Sequence, residues 1–123
     1  MSIFKNINVV QYHVRDWERA KKFYSEIIEW PVCWADDEIG WYEYGRENET
    51  HIAISRLDEG TPLVAGEGGV IAVLGVEDAI KTTDFLRARG VKCDDAVSIP
   101  GVVCFGTFYD PEGNRLQFAS SPK

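Results

Sequence analysis

Apolar and polar residues alternate with a period of two along residues 7–14, which predicts a β-strand, because successive strand side chains point to opposite faces. The β-branched and aromatic residues of this segment support the assignment. The more apolar row should lie under a helix and consists of Val10, Tyr12 and Val14. The other row should face the opposite side of the sheet and consists of Val9, Gln11 and His13.

The hydrophobic period changes to about 3.6 after Asp16, a residue type that favours the N-cap of a helix. The apolar positions of the predicted helix are Trp17, Ala20, Phe23, Ile27 and Ile28. Pro31 should end this helix, since the residue before a proline disfavours the helical conformation.

Short strand patterns separated by turn residues follow this helix. The predicted strands are residues 32–36, 40–45 and 50–56. Residues 57–69 contain four glycines and Pro62, which is typical of a linker. Beyond it, the pattern predicts a strand over 70–76, a helix over 78–89 that ends at Gly90, and strands over 92–98, 102–109 and 115–119. The segment 110–114, Asp-Pro-Glu-Gly-Asn, predicts a tight turn before the last strand.

The two halves repeat one plan at a spacing of 62 residues. This spacing separates Val14 from Val76, Asp16 from Asp78, and Phe23 from Phe85. A repeated supersecondary unit predicts an α+β fold of two βαβββ modules. We expect a single domain over 1–123, with module one at 5–58, a linker at 59–69 and module two at 70–120.

Composition excludes several classes of protein. The net charge is −7 and no basic stripe is present, which argues against nucleic acid as a partner. No segment approaches the roughly 18 consecutive apolar residues of a membrane span, and the N-terminus has no apolar segment of signal-peptide length. The three widely spaced cysteines, Cys33, Cys93 and Cys104, predict reduced and mostly buried thiols in a cytoplasmic protein.

Several motifs resemble those of the vicinal oxygen chelate superfamily, which includes glyoxalase I, extradiol dioxygenases and bleomycin resistance proteins. The motifs are Val14-Arg15-Asp16, Phe23-Tyr24, and residues 108–117 with their Asp-Pro-Glu-Gly-Asn turn. The resemblance implies that the sheets of the two modules curl into a U-shaped pocket, and that a short chain of this kind forms a homodimer.

The resemblance also implies four positions where enzymes of the superfamily hold a divalent metal. These positions are Val9, Ile71, Gln117 and either Ala53 or Ser55. Aliphatic side chains offer no lone pair, and one amide oxygen cannot hold a divalent ion against water. We therefore expect no metal at these positions and no cofactor.

The superfamily fold, taken with antiparallel pairing of the first and fourth strands, places Gln11 opposite His51 and His13 diagonal to His51. The cluster predicts His13 and His51 as catalytic candidates and Gln11 as a ligand contact, because histidine exchanges protons near neutral pH. Two alternatives stay open: ordinary hydrogen-bonded strand residues, or a two-histidine metal site completed by Glu49 or Gln11.

Five aromatic residues lie in or near the second and third strands. One or two of them should face the pocket, and the others should fill the core. They are Trp30, Trp34, Trp41, Tyr42 and Tyr44. We predict Trp34 and Trp41 as ligand contacts, because a planar or cationic ligand stacks on such rings. Arg115 should share a face with Gln117, and its side chain either pairs with a ligand carboxylate or reaches solvent. We predict Arg115 and Gln117 as further ligand-binding residues.

Three functions are compatible with these features. The leading hypothesis is a metal-free protein that binds a small aromatic or cationic molecule in the pocket, as bleomycin resistance proteins do. The second is a lyase, isomerase or dioxygenase that uses a histidine base or a displaced metal site. The third is a structural or regulatory dimer without a ligand.

Overall fold

The computed structural model describes residues 5–58, 60 and 70–122. The chain divides into two compact units, Met1–Leu63 and Val64–Lys123. Each unit has the element order βαβββ, so the predicted α+β fold of two modules is confirmed. Apart from Gly60, the predicted linker 59–69 lies outside the described residues.

The bounds of the elements agree with most of the predicted segments. The first unit contains β1 (Val9–Val14), α1 (Trp17–Lys22), β2 (Val32–Asp36), β3 (Trp41–Tyr44) and β4 (His51–Arg56). The second unit contains β5 (Ala72–Gly75), α2 (Ala79–Ala88), β6 (Val97–Ile99), β7 (Val103–Tyr109) and β8 (Arg115–Ser120).

Both sheets have the same mixed topology, β1-β4-β3-β2 in the first and β5-β8-β7-β6 in the second. The expected antiparallel pairing of β1 with β4 is wrong, because the two strands are parallel. The helical crossover returns the chain so that β2 runs in the direction of β1, and two antiparallel reversals then restore that direction in β4.

The core of the first unit lies between its sheet and α1. Tyr12 and Val14 are buried as predicted, and Tyr44, Ile52 and Ile54 complete the buried row. The ring of Trp17 meets Tyr42 edge-on with centroids 5.7 Å apart. Tyr42 and Tyr44 therefore serve the core and not a ligand face.

The first helix begins as predicted, with the Asp16 side chain accepting a hydrogen bond from the backbone N–H of Arg19. It does not continue regularly to Pro31. A π-helical turn, Phe23–Ile27, follows α1, and both adjacent rings, Phe23 and Tyr24, are buried there. Wider turns of this kind interrupt helices where a regular turn does not suit the packing.

The second unit packs α2 against β7 and β8. Asp78 caps α2 by accepting hydrogen bonds from the N–H groups of Ile80 and Lys81, and Gly90 has the left-handed φ of 80° expected after a helix. In the turn at 110–114, the buried Asp110 carboxylate accepts hydrogen bonds from both the backbone and the side chain of Asn114. This motif therefore has a structural role.

The predicted strand over 92–98 is largely replaced by a loop. Only Val97–Ile99 forms a strand, and Cys93 makes an isolated bridge to Phe108. The guanidinium of Arg87 donates to the Cys93 carbonyl and to Asp95, beside that bridge. Aspartates are disfavoured in strands, and residues 94–95 are both aspartate.

Within the described residues, no helix has the length and apolar character required to cross a membrane.

Candidate functional site

The face of the first sheet that points away from α1 carries most of the predicted site residues. Pairing aligns Gln11 with Ala53, Ala53 with Glu43, and Glu43 with Trp34 across all four strands. A second row aligns His13, Ser55 and Trp41. We call this surface the polar face; its members are Gln11, His13, Cys33, Trp34, Trp41, Glu43, His51 and Ser55.

A β-bulge in β2 determines which residues of that strand reach the polar face. Val32 pairs with Tyr44, but Trp34 pairs with Glu43, so Cys33 is the extra residue between them. Strict alternation along β2 would place Val32 and Trp34 in one row, and the bulge separates them. Bulges re-aim side chains in this way. The side chain of Cys33 points toward Glu43. Cys33 is exposed, contrary to the prediction of mostly buried thiols.

Cys33, Glu43 and His51 form a close cluster on the polar face. His51 Nδ1 lies 2.5 Å from Oε2 of Glu43. The Sγ atom of Cys33 lies 3.5 Å from His51 Nδ1 and 3.9 Å from Glu43 Oε2. The side chains of His51 and Glu43 are only 18% and 21% exposed, so solvent screens their interaction less than that of a surface pair.

Both ends of this pair are oriented by further hydrogen bonds. His51 Nε2 donates to the carbonyl oxygen of Arg46 over 2.9 Å, and Trp41 Nε1 donates to Oε1 of Glu43 over 3.1 Å. The hydrogen bonds to Glu43 and to the Arg46 carbonyl raise the pKa of His51 above its ordinary value. The hydrogen bond from His51 lowers the pKa of Glu43. An imidazolium beside a carboxylate satisfies all these contacts.

The thiol of Cys33 is held in its protonated form. Desolvation raises the pKa of Cys33, and the negative charge of Glu43 raises that pKa further. A cysteine nucleophile needs the opposite shift, since the thiolate is the reactive form. The cluster therefore does not resemble an activated cysteine site.

His13 and His51 are not neighbours in the pairing of β1 with β4, contrary to the prediction. His13 aligns with Ser55, and Val9 aligns with His51. Four residues along a strand correspond to roughly 13 Å, so His13 and His51 occupy separate parts of the polar face. His13 Nδ1 instead lies 3.1 Å from the hydroxyl of Ser55. The prediction failed because the pairing direction was wrong.

A pocket of about 380 Å³ adjoins the cluster at the edge of the first unit. It is lined by residues 6–8, which lead into β1, and by residues 47–51, which lead into β4. Glu47 and Glu49 bring two carboxylates to this lining, and His51 belongs to both the pocket and the cluster. The pocket is therefore suited to polar or cationic groups.

In the second unit, Arg115 and Gln117 lie on one face of β8, as predicted from their spacing, while Leu116 and Phe118 are buried on the other. Gln117 Nε2 donates a hydrogen bond to the Thr107 hydroxyl over 3.1 Å. This amide is thus oriented by its neighbour on β7.

Sequence reasoning missed Cys33 and Glu43 as site residues. Glu43 alternates with Tyr42 and Tyr44, so its position on the face of Trp41 was foreseeable once the tyrosines were assigned to the core. The direction of Cys33 depends on one extra residue in β2, which strict alternation does not reveal.

Comparison with known proteins identifies relatives of this architecture. The family model for the Glyoxalase/Bleomycin resistance protein/Dioxygenase superfamily matches residues 6–118. The search of curated proteins gave no match.

Solved structures with the same fold include TnmS3, an antibiotic binding protein from Streptomyces sp. CB03234. It is 19% identical with a TM-score of 0.79, and the match covers 98% of this chain and 99% of that chain. A putative glyoxalase family protein from Bacillus anthracis is 20% identical with a TM-score of 0.78, and 98% of each chain is covered. At this identity the likeness shows the fold alone.

Proposed function

Because the chain belongs to the Glyoxalase/Bleomycin resistance protein/Dioxygenase superfamily, we propose that it is a ligand-binding member of that superfamily. The ligand is a small planar aromatic or cationic molecule, held against the polar face of the first sheet. Its binding does not use a metal at the positions implied by the family resemblance, which are Val9, Ile71, Gln117 and either Ala53 or Ser55. The side chains of Val9 and Ile71 offer no lone pair, and the remaining positions supply too few ligands to hold a divalent ion.

The observation that carries this proposal is the pair of tryptophans on the polar face. Trp34 pairs with Glu43, and Trp41 precedes Glu43 by two residues, so the two indoles are diagonal neighbours on one face. Diagonal neighbours lie within reach of aromatic side chains. Trp34 is 50% exposed, although burying such a ring is favourable. Trp41 is half-buried, so the pair presents one exposed and one partly exposed ring, as is typical of a binding surface.

Charge favours a cationic ligand. The chain carries a net charge of −7, and Glu47 and Glu49 line the pocket beside His51. A cation gains both from these carboxylates and from the faces of the tryptophan rings. TnmS3 is an antibiotic binding protein, which supports a small organic molecule as the class of ligand.

Three probes test this proposal in the purified chain. The planar cation 9-aminoacridine should bind with one-to-one stoichiometry by isothermal titration calorimetry and should raise the melting temperature. The planar anion 1-naphthoate and the non-planar cation tetraethylammonium should bind more weakly, since each lacks one of the two recognised features. Absence of binding by all three probes would contradict the proposal.

A matched pair of variants locates the binding surface. Trp34→Ala should weaken 9-aminoacridine binding about tenfold, which corresponds to roughly 1.4 kcal/mol for a stacked cation. Val32→Ala removes an exposed apolar side chain from the same strand, but on the face of Tyr44, and should leave the affinity unchanged. Equal losses in the two variants would place the probe elsewhere.

A second candidate function, a reaction that uses a histidine base, is favoured by one contact. His13 Nδ1 lies 3.1 Å from the Ser55 hydroxyl on the polar face. His51 is the weaker base candidate, because both of its ring nitrogens already face acceptor atoms. His13→Ala should abolish any turnover detected with a candidate substrate, while turnover that survives it would exclude this role.

The proposed partner besides the ligand is a second copy of the chain. The edge strand β6 exposes Val97 and Ile99, which are 46% and 42% exposed, and pairing with another edge would cover them. Light scattering after size-exclusion chromatography should give the mass of a dimer, and Val97→Lys should shift it toward the monomer. A monomeric wild-type chain would contradict this expectation.

A further inference from the structure

Three side chains with metal-binding atoms converge at one point of the polar face. The donor atoms are Sγ of Cys33, Oε2 of Glu43 and Nδ1 of His51, and all lie within 4.8 Å of one another. Each comes from a different strand of one hydrogen-bonded sheet, since Cys33 is on β2, Glu43 on β3 and His51 on β4. A sheet positions such groups more firmly than a loop does.

We propose that Cys33, Glu43 and His51 form a zinc site, with a fourth coordination position open to water. Zinc accepts thiolate, imidazole and carboxylate ligands together, whereas magnesium and calcium require oxygen ligands. Three protein ligands and one open position are typical of zinc sites that contact a substrate or solvent.

The spacing of the donor atoms is close to what zinc requires. Bond lengths of 2.0–2.3 Å in a tetrahedron place neighbouring ligand atoms roughly 3.3–3.6 Å apart. The distance from Cys33 Sγ to His51 Nδ1 is already 3.5 Å, and that to Glu43 Oε2 is 3.9 Å. Only the Glu43–His51 separation of 2.5 Å must widen, by about 1 Å, when the ion replaces the proton between them.

The groups around the cluster already orient the ligands for such an ion. The Arg46 carbonyl accepts from His51 Nε2, which leaves Nδ1 directed at the cluster. The Trp41 indole donates to Oε1 of Glu43, which leaves Oε2 directed at the cluster. Hydrogen bonds of this kind on the far side of a ligand are a regular feature of metal sites.

The site differs from the metal positions that the family resemblance implies. On β4, His51 lies two residues before Ala53, and Cys33 and Glu43 lie on β2 and β3, which supply none of the implied positions. Binding releases the thiol proton of Cys33 and the proton shared by Glu43 and His51, and both pass to solvent without any redox change.

Titration of the tag-free, full-length chain with zinc sulfate, under reducing conditions at pH 7, tests the proposal. A chromophoric chelator competing for the ion should report one equivalent of tightly bound zinc. Cys33→Ser should weaken binding at least tenfold, because it removes a direct ligand. Cys93→Ser, which removes the partly buried thiol of the second unit, should leave the affinity unchanged.

A second variant and a second metal keep the test independent of folding defects. Trp41→Phe removes the hydrogen bond to Glu43 without touching a ligand and should weaken zinc binding about 10- to 100-fold. Cobalt in place of zinc should give a sulfur-to-metal charge-transfer band that Cys33→Ser abolishes. Failure to bind one equivalent, or binding that Cys33→Ser and Trp41→Phe both leave unchanged, overturns the proposal. The zinc titrations are made without 9-aminoacridine, so failure here is distinct from failure of the ligand proposal.

Discussion

The two units of the chain have one topology and two different chemical surfaces. In both, the first and last strands are parallel in the same register, Val10 beside Ile52 and Ala72 beside Leu116. In both, an aspartate caps the helix that follows the first strand. Only the first unit carries a cluster of metal-binding side chains, among the described residues.

The edge strands show where the units diverge. In the first unit, β2 contains a bulge that directs Cys33 and Trp34 toward Glu43. In the second, β6 pairs regularly with β7 and exposes Val97 and Ile99. The rows beneath the helices maintain the fold, while the opposite faces are open to change. Function can therefore be altered in one unit without loss of the architecture.

At equivalent positions of the two units, a residue type that lies on one strand in the first unit lies on the neighbouring strand in the second. Gln11 lies beside Ala53 in the first unit, whereas Val73 lies beside Gln117 in the second. In the buried row, Tyr42 beside Ile54 is replaced by Gly106 beside Phe118. The aromatic ring changes strand, and glycine provides the space for it.

The largest expected effect comes from the row that both units share. Ile52→Ala and Leu116→Ala occupy equivalent buried positions, and each should lower the free energy of unfolding by about 2–5 kcal/mol. Urea denaturation followed by circular dichroism measures both. A loss below 1 kcal/mol in one variant only would show that the two cores do not contribute alike.

A smaller effect is expected where the ring has changed strand. A Cβ atom on Gly106 would lie 2.3 Å from the Phe118 ring, so Gly106→Ala should destabilise the protein by about 1–3 kcal/mol. Gly75→Ala is the matched control, because nothing lies within 4 Å of a Cβ atom there. Thermal denaturation measures the stability of both variants. Equal stabilities would contradict the claim that the Phe118 ring leaves no room for a side chain at position 106.

The smallest effect concerns the hydrogen bonds between α1 and Asp37, which lies in the turn between β2 and β3. Asp37 accepts hydrogen bonds from Lys21 and Trp17, which lower its pKa below the usual 3.8. A lowered pKa in the folded state stabilises the fold above pH 3.8, and this contribution is lost as pH falls through the folded value. The Trp17 indole resonance should shift in that acid range, and Asp37→Asn should abolish the shift. An indole resonance that titrates unchanged in Asp37→Asn would refute the assignment.

The sequence was sufficient for the order of elements because its apolar rows are regular. Val14, Asp16 and their repeats at Val76 and Asp78 establish the repeated unit, and Gly90 and the 110–114 turn mark two of its boundaries. The site was less predictable. The direction of β4 decides whether His13 meets His51, and one extra residue at Cys33 decides which side chains meet Glu43. Neither feature changes the hydrophobic period.

Two-dimensional NMR of the ¹⁵N-labelled chain, titrated with 9-aminoacridine, tests most directly whether the polar face of the first sheet is the binding surface. The account predicts the largest shifts at the Trp34 and Trp41 indoles and along β3 and β4, with β7 and β8 little changed. Shifts confined to the second unit, or none at all at saturating probe, would contradict it.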